Sequence, residues 1–157
     1  MNQTCVNDEL MIPCPEGFAI MGPEELNRVF TRGSANRWGV WDRSRRVMIT
    51  VLWQRYNPLL AWLADMKSLV RRNEQLTRRG YKGRDYQPGG FFSTKVCGMA
   101  AEGYRFTCRL DDAAQCVETV LFKRGRTVYS LSCVGRNGDR DANSAIFEAL
   151  LNGIGMK

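Results

Sequence analysis

The chain has 157 residues, of which 44% are hydrophobic, 25% charged and 10% aromatic, a composition typical of one ordinary globular domain. It contains no histidine, which excludes imidazole general bases, Ser-His-Asp and Cys-His nucleophiles and histidine-ligated metals. It has no run of about 18 apolar residues, and residues 1–10 lack the basic start and apolar centre of a secretory signal. We therefore expect one cytoplasmic domain over residues 1–157, without a membrane span.

The first elements are short strands, predicted over Glu9–Ile12 and Phe18–Met21 on either side of a Pro-Glu-Gly turn. Gly22-Pro23-Glu24-Glu25 predicts the start of a helix, because proline fits the first helical position and acidic side chains stabilise a helix N-terminus. This helix should run to Phe30. A polar loop is expected over Thr31–Asn36.

The next two segments, Arg37–Asp42 and Arg46–Arg55, are predicted to form a hairpin with one buried face. Residues of alternating character in the second strand support this, because successive side chains of a strand point to opposite sides of the sheet. The side chains expected on the buried face are Val47, Ile49, Val51 and Trp53.

A long helix is predicted to begin at Asn57-Pro58, with Asn57 as its N-cap, and to end at Gly80 in the left-handed conformation. Its expected buried stripe comprises Leu59, Trp62, Leu63, Met66, Leu69, Val70 and Leu76. The segment Tyr81–Gly90 contains three glycines and a proline, so it is predicted to be a mobile surface loop. The tryptophans expected in the core are Trp38 or Trp41, together with Trp53 and Trp62.

The C-terminal half is predicted to contain four consecutive strands joined by tight turns, which forms an antiparallel meander. The predicted strands are Phe91–Cys97, Ala101–Leu110, Gln115–Lys123 and Thr127–Val134. A final helix should begin at Asp139 or Asp141 and end at Gly153. Its expected buried stripe comprises Ala142, Ala145, Ile146, Ala149 and Leu150. Because helices and strands segregate along the chain, we predict an α+β architecture with helices packed on the faces of an antiparallel sheet.

The positive charge is concentrated in one segment. The chain carries 23 Lys+Arg against 16 Asp+Glu, a net charge of +7, and between Lys67 and Tyr86 only Glu74 and Asp85 oppose seven basic residues. Arginine pairs well with phosphate and carboxylate groups, which allows a nucleic acid, an acidic protein face or an anionic ligand as partner. The alternative is a solvated helix face followed by a basic loop.

The candidate binding residues are the basic and aromatic side chains of this segment, because tyrosine and arginine are enriched at binding hot spots. Two exposed arginines predicted on the polar face of Ala101–Leu110 could extend the surface. The full set is Arg71, Arg72, Arg78, Arg79, Tyr81, Lys82, Arg84, Tyr86, Arg105 and Arg109.

No catalytic motif is present. The sequence lacks a phosphate-binding loop, a dinucleotide-binding glycine motif and a Gly-x-Ser-x-Gly elbow, and Asp111-Asp112 is typical of a turn. The six cysteines form no Cys-x-x-Cys pair, so we predict reduced structural thiols and no metal. In an oxidising compartment, Cys108 and Cys116 could face each other across a hairpin. We predict no cofactor and no enzymatic activity.

The order of elements and three short motifs resemble the PsbP/Mog-type superfamily, including bacterial PsbP-like and DcrB-related proteins. The motifs are I-P-C-P-E-G-F at Ile12–Phe18, A-E-G-Y-R-F at Ala101–Phe106 and G-R-T-V-Y-S at Gly125–Ser130. The resemblance implies an α/β/α sandwich on a central antiparallel sheet, in a superfamily of non-enzymatic proteins that bind other proteins. It transfers no individual site residue.

Three functional hypotheses follow. The first is a protein-binding or adaptor domain that uses the basic Arg/Tyr surface against a partner with an acidic face. The second is a nucleic-acid-binding module that uses the same arginines. The third is a chaperone-like domain that holds an apolar client segment on an exposed sheet face, which requires an exposed apolar patch.

Overall fold

A computed structural model describes residues 2–30, 36–63 and 65–157. Apart from Asn36, the predicted loop at 31–36 lies outside the described residues. The described strands are β1 (Gln3–Val6), β2 (Leu10–Pro13), β3 (Ala19–Ile20), β4 (Arg37–Asp42), β5 (Val47–Arg55), β6 (Gln87–Val96), β7 (Met99–Leu110), β8 (Ala113–Arg124), β9 (Thr127–Arg136) and β10 (Gly155–Met156). The described helices are α1 (Pro23–Val29), α2 (Pro58–Leu63), α3 (Met66–Gly80) and α4 (Arg140–Gly153), and a 3-10 helix spans Asn137–Asp139.

Seven strands form one large antiparallel sheet in the order β3-β4-β5-β9-β8-β7-β6. The predicted C-terminal meander is confirmed, because β6, β7, β8 and β9 pair successively with their neighbours. A smaller sheet, in the order β1-β2-β10, joins the two ends of the chain. Its strands β1 and β10 were not predicted: β1 has four residues, and β10 has two and pairs with β2 at the other end of the chain.

The larger hydrophobic core lies between one face of the large sheet and a layer formed by α4 and the small sheet. The predicted face of β5 is confirmed: Val47, Ile49 and Val51 are at most 2% exposed, and Trp53 packs against the same core. Trp38 is also buried. The hydrophobic side of this hairpin therefore packs as its period-two pattern predicts.

The opposite face of the sheet carries α3 and a second, smaller core. Val70 of α3 packs against Tyr104, Phe106, Val117 and Leu121 of β7 and β8. Helices or helix-bearing layers thus cover both faces of a central antiparallel sheet, which confirms the predicted α/β/α sandwich.

The predicted long helix is wrong, because the chain forms two helices in this region. Asn57 caps α2 as expected, with its Oδ1 accepting a hydrogen bond from the Leu60 amide at 2.8 Å. Asp65, however, adopts an extended conformation and its carboxylate caps α3 by accepting from the Lys67 amide at 3.3 Å. A short acidic side chain that bonds nearby backbone amides favours a helix start over a helix interior.

In both helices, side chains that the helical pattern predicted to be buried are exposed. The side chain predicted in the core, Trp62, is 82% exposed, and Leu76 of α3 is 55% exposed. Buried positions of α3 include Val70 and Glu74. The apolar pattern alone did not reveal that a second helix begins after Asp65.

The predicted loop Tyr81–Gly90 is too long, because β6 begins at Gln87. Its glycines form a β-bulge in the register between Pro88 and Phe91, where Gly90 has a φ of +96° and an added Cβ on Gly89 would lie 3.0 Å from the Arg105 carbonyl oxygen. Proline and glycine are tolerated here because β6 is an edge strand.

The predicted left-handed end of the helix is also wrong. Gly80 ends α3 without left-handed geometry, and the left-handed conformation occurs instead at Gly83 (φ +84°).

Two further expectations are corrected. The buried positions of α4 are Asn143, Phe147, Leu150 and Leu151. Of the predicted stripe, Leu150 is buried as expected and Ile146 packs against the core, whereas the three alanines are exposed. Phe147, which was not predicted, offers more apolar surface than the alanines. Cys108 pairs in register with Gln115, and Cys116 with Thr107, so the two thiols lie on opposite faces of the sheet and cannot face each other.

Among the described helices, none is long and apolar enough to cross a membrane.

Candidate partner-binding surface

The helix α3, which carries much of the positive charge, is fixed to the sheet by a buried tyrosine. The hydroxyl of Tyr104, a residue only 2% exposed, donates to Asn73 Oδ1 at 2.6 Å and lies 2.8 Å from Thr77 Oγ1. Burial raises the pKa of Tyr104, so its hydroxyl stays protonated at neutral pH. These contacts orient one side of α3 towards the sheet and the other towards solvent.

A second polar contact involves Glu74, which is 6% exposed. Its Oε1 accepts hydrogen bonds from Arg78 Nη2 at 2.7 Å and from the Tyr86 hydroxyl at 3.0 Å. The hydrogen bond to Glu74 raises the pKa of Arg78, while burial, followed by the bond to Glu74, raises the pKa of Tyr86. Arg78 therefore has a structural role in addition to its exposed position.

The two tyrosines of the candidate set pack into the smaller core. The ring of Tyr81 meets Phe106 edge-on at 5.3 Å between centroids, and the ring of Tyr86 stacks on Phe106 at 4.7 Å. Both residues are partly buried. Their rings therefore pack against the sheet next to α3 and do not project from a loop into solvent.

The remaining basic residues of this segment are exposed. Within the described ranges, the side chains of Arg71, Arg72, Arg79, Lys82 and Arg84 make no ion pair with a carboxylate. Their charge is therefore available to a partner.

A shallow cleft of about 460 Å³ lies between α3 and β6. Phe91 of β6, which is 54% exposed, forms one wall, and the sequence analysis did not single it out. A second cleft of about 410 Å³ continues past Arg79 and Lys82 towards Pro88. We use the name α3–β6 surface for the exposed residues of the first cleft: Arg71, Gln75, Arg78, Arg79 and Phe91.

The structure separates Arg105 and Arg109 from the α3–β6 surface. Both are exposed as predicted, but they alternate with Tyr104, Phe106 and Cys108, which face α3, and so lie on the other face of the sheet. The Arg105 guanidinium lies 4.0 Å from the centroid of the Phe92 ring. Arg109 Nη2 donates to the Asp112 carbonyl oxygen at 2.7 Å.

A different surface feature lies on α2. Its large apolar side chains are between 54% and 82% exposed, and sequence reasoning placed three of them in the core. A contiguous exposed apolar patch is typical of an interaction site. The exposed residues are Leu59, Leu60, Trp62 and Leu63.

Four of the six cysteine thiols are poorly suited to nucleophilic chemistry, whereas Cys5 and Cys97 are exposed. Burial raises the pKa values of the Cys14, Cys108 and Cys116 thiols, and raises that of Cys133 to about 12, which opposes thiolate formation at neutral pH. Within residues 2–30, 36–63 and 65–157, no three His, Cys, Asp or Glu side chains cluster as metal ligands would.

The sandwich described above is the PsbP-type fold, as the sequence resemblance implied. The chain is similar to cyanobacterial PsbP (CyanoP) from Synechocystis, with a TM-score of 0.73 and 9% sequence identity over 99% of this chain and 92% of that one. It is also similar to LpqN, which is involved in cell envelope biogenesis of Mycobacterium tuberculosis, with a TM-score of 0.64 and 10% identity over 94% of this chain and 83% of that one.

A third similar structure is PA94 from Pseudomonas aeruginosa, a protein of unknown function, with a TM-score of 0.53 and 11% identity over 98% of this chain and 94% of that one. No protein-family model matches the sequence, and no curated protein is significantly similar to it. At these identities the similarity establishes the fold alone, because one fold supports many functions.

Proposed function

We propose that this protein is a non-enzymatic binding domain that recognises a partner protein with an acidic segment through its α3–β6 surface. The observation that carries the proposal is that Arg71 and Arg79, both exposed on α3, lack carboxylate partners among the described residues and line an open cleft. Exposed Phe91 supplies an apolar contact inside the basic surface. Basic side chains around an aromatic anchor are typical of protein interfaces.

The structural neighbours support this proposal at a coarse level. LpqN takes part in cell envelope biogenesis, and the sequence resemblance also implied proteins that act by binding. The buried thiols with raised pKa values and the lack of histidine fit a protein without nucleophilic catalysis.

The experiment is affinity purification from the native cell, with nuclease treatment, using three forms of the protein. The test variant is Arg71→Glu/Arg72→Glu/Arg79→Glu, which spares Arg78 and therefore keeps the contact with Glu74. The matched control is Arg28→Glu/Arg136→Glu/Arg140→Glu. Both variants change the net charge equally, and each replaces one arginine in the last turn of a helix, Arg79 in α3 and Arg28 in α1.

We expect a discrete protein that is retained by the wild type and the control and lost by the test variant. Equal retention by all three forms would overturn the proposal. Recovery of nucleic acid in place of a protein, with an affinity that falls steeply with salt, would support the nucleic-acid hypothesis instead, because phosphate binding releases counterions.

The exposed α2 supports a second candidate function, the binding of an apolar client segment. This function predicts that Leu60→Ser/Leu63→Ser abolishes capture of the client, while the α3 test variant retains it. The reverse pattern would assign recognition to the α3–β6 surface.

A further inference from the structure

The long open edge of the large sheet is β6. Among the described strands it pairs with β7 alone, and its residues 87–91, Ser93 and Lys95 are exposed. The other edge strand, β3, is two residues long. An edge of this length presents unpaired backbone groups and is a template for another strand.

The hairpin between β6 and β7 determines which backbone groups are free. Cys97 and Gly98 both have positive φ values, 53° and 76°, as in a two-residue type I′ turn. In such a hairpin the closing pair, Val96 and Met99, exchanges both backbone hydrogen bonds, and hydrogen-bonded and non-bonded pairs alternate from there. The N–H and C=O groups that point away from β7 therefore belong to Phe91, Ser93 and Lys95.

Basic side chains lie on both sides of this free edge. Phe91 pairs opposite Tyr104, so its side chain is on the α3 face, where it shares the cleft with Arg71 and Arg79. An added strand would place alternate side chains beside these arginines and the remainder on the face of Arg105. Glutamate or aspartate on the α3 face would lie beside these arginines. On the other face, Arg105 already pairs with Glu118 at 3.6 Å.

An acidic group also lies at this edge. Glu102 of β7 accepts a hydrogen bond from the Ser93 hydroxyl at 2.7 Å, which leaves the negative charge of its carboxylate in place. Lys95 lies two residues further along the same face of β6 and adds a positive charge.

The same features disfavour pairing between two copies of this chain. A second β6 would bring a second basic α3 and a second Lys95 against the first, and like charges repel. Pro88 and the bulge before Phe91 limit the free edge to its C-terminal half. A nucleic acid has no row of amides at strand spacing to pair with this edge, so the observations favour a peptide.

We propose that the Phe91–Lys95 edge of β6 accepts an extended acidic peptide segment of a partner protein by strand addition, with acidic side chains paired to the arginines of α3. This inference rests on the proposed function and specifies its mode of recognition. Main-chain hydrogen bonds would supply affinity, while the charged and aromatic side chains would select the sequence.

The first test uses the wild-type protein and an acetylated, amidated peptide of about eight residues, the length of an ordinary strand, in which Glu and Val alternate. Amide exchange followed by NMR should show new protection at Phe91, Ser93 and Lys95 when the peptide is bound. The amides of Phe92 and Thr94 should change little, because they already bond to β7. A peptide of equal charge with proline at alternate positions is the control and should give no protection.

The second test uses Ser93→Pro, which removes one outward-facing N–H from an edge strand, where proline is tolerated. Loss of that hydrogen bond and the added ring should weaken peptide binding by about tenfold or more. Ser93→Ala removes only the hydroxyl contact with Glu102 and should bind within about twofold of the wild type, a change well below the loss of one hydrogen bond.

The outcomes separate the two proposals. No binding of the alternating peptide, or binding without the alternate-residue protection, overturns strand addition. A native partner that is lost with the α3 test variant but retained by Ser93→Pro also overturns strand addition and leaves the proposed function standing. A native partner retained by the α3 test variant overturns the proposed function itself.

Discussion

Single carboxylates organise the local structure at two places in this protein. Asp42, at the end of β4, accepts hydrogen bonds from the Ser44 hydroxyl at 2.7 Å and from Arg45 Nε at 2.5 Å, and its Oδ1 also accepts from the Ser44 amide. Glu74 of α3 acts similarly, since it accepts hydrogen bonds from Arg78 and Tyr86. Each carboxylate accepts hydrogen bonds from more than one donor.

Asp42 predicts a defined pH dependence of stability. The hydrogen bond from Ser44, and then that from Arg45, lower its pKa from 3.8 to about 2. Because the folded-state pKa lies below the unfolded one, the stabilisation is complete above the unfolded pKa and is lost as the pH falls towards about 2. Asp42→Asn should therefore be less stable than the wild type at pH 7, and the difference should shrink between about pH 4 and pH 2.

Urea denaturation of both proteins across this pH range measures the difference in the free energy of unfolding. Other carboxylates titrate in both proteins, so their contribution cancels in the comparison. A difference that stays constant down to pH 2 would mean that the charge of Asp42 does not stabilise the turn.

At the scale of elements, the two adjacent helices α2 and α3 differ in how they are held. Tyr104 fixes α3 through Asn73 and Thr77, whereas α2 contacts the sheet through buried Ala61 and a hydrogen bond from Lys123 Nζ to the Ala61 carbonyl oxygen at 2.7 Å. The large apolar side chains of α2 therefore contribute little to the core.

Tyr104→Phe should destabilise the protein by about 1–2 kcal/mol, because the polar atoms of Asn73 and Thr77 lose their buried partner. The loss should appear in chemical denaturation and as faster amide exchange within α3. Exchange that accelerates equally in α4 would show that the tyrosine stabilises the whole fold and not specifically the docking of α3.

Trp62→Gln should change the free energy of unfolding by less than about 0.5 kcal/mol, since an 82% exposed side chain has little burial to lose. Denaturation monitored by circular dichroism avoids the change in tryptophan fluorescence. A loss of several kcal/mol would instead place Trp62 in a packed core, as the helical periodicity predicted.

Over the whole molecule, charge and shape are unevenly distributed. The net charge is +7, and a large share of the positive charge lies on α3 and the turn that follows it. The face of the sheet opposite α3 is instead covered by α4 and the small sheet. The exposed cations of α3 therefore lie close to one another and repel.

Self-repulsion predicts that the melting temperature rises as salt is raised from about 0.01 M to about 0.15 M, since the screening length falls from roughly 30 Å to 8 Å. Arg71→Gln/Arg72→Gln/Arg79→Gln should show a smaller rise, because fewer like charges remain on α3. Calorimetry at both salt concentrations measures this. An equal rise in the variant would mean that repulsion on α3 does not limit stability.

Local patterns predicted the parts of this protein whose contacts are close in sequence. The alternation of Val47, Ile49 and Val51, and that of Tyr104, Phe106 and Cys108, correctly gave the buried faces of β5 and β7. The tight turns correctly gave the meander, because a hairpin requires its strands to be antiparallel. The exposed position of Arg105 and Arg109 followed from the same alternation.

Contacts between distant segments decided the rest. Helical periodicity could not locate the break at Asp65, and it could not show that Trp62 has no surface to pack against. The glycines before Phe91 indicated a loop in the sequence, whereas in the structure they form a bulge because Arg105 of the neighbouring strand approaches closely.

The sequence by itself determined the fold class, the concentration of positive charge and the absence of histidine chemistry, since these depend on composition and short-range periodicity. Only the tertiary structure decided which cations share a surface. It placed Arg71 and Arg79 beside Phe91, and Arg105 on the other face of the sheet. Successive side chains of a strand point to opposite faces, and packing and strand pairing bring together residues that are distant in sequence.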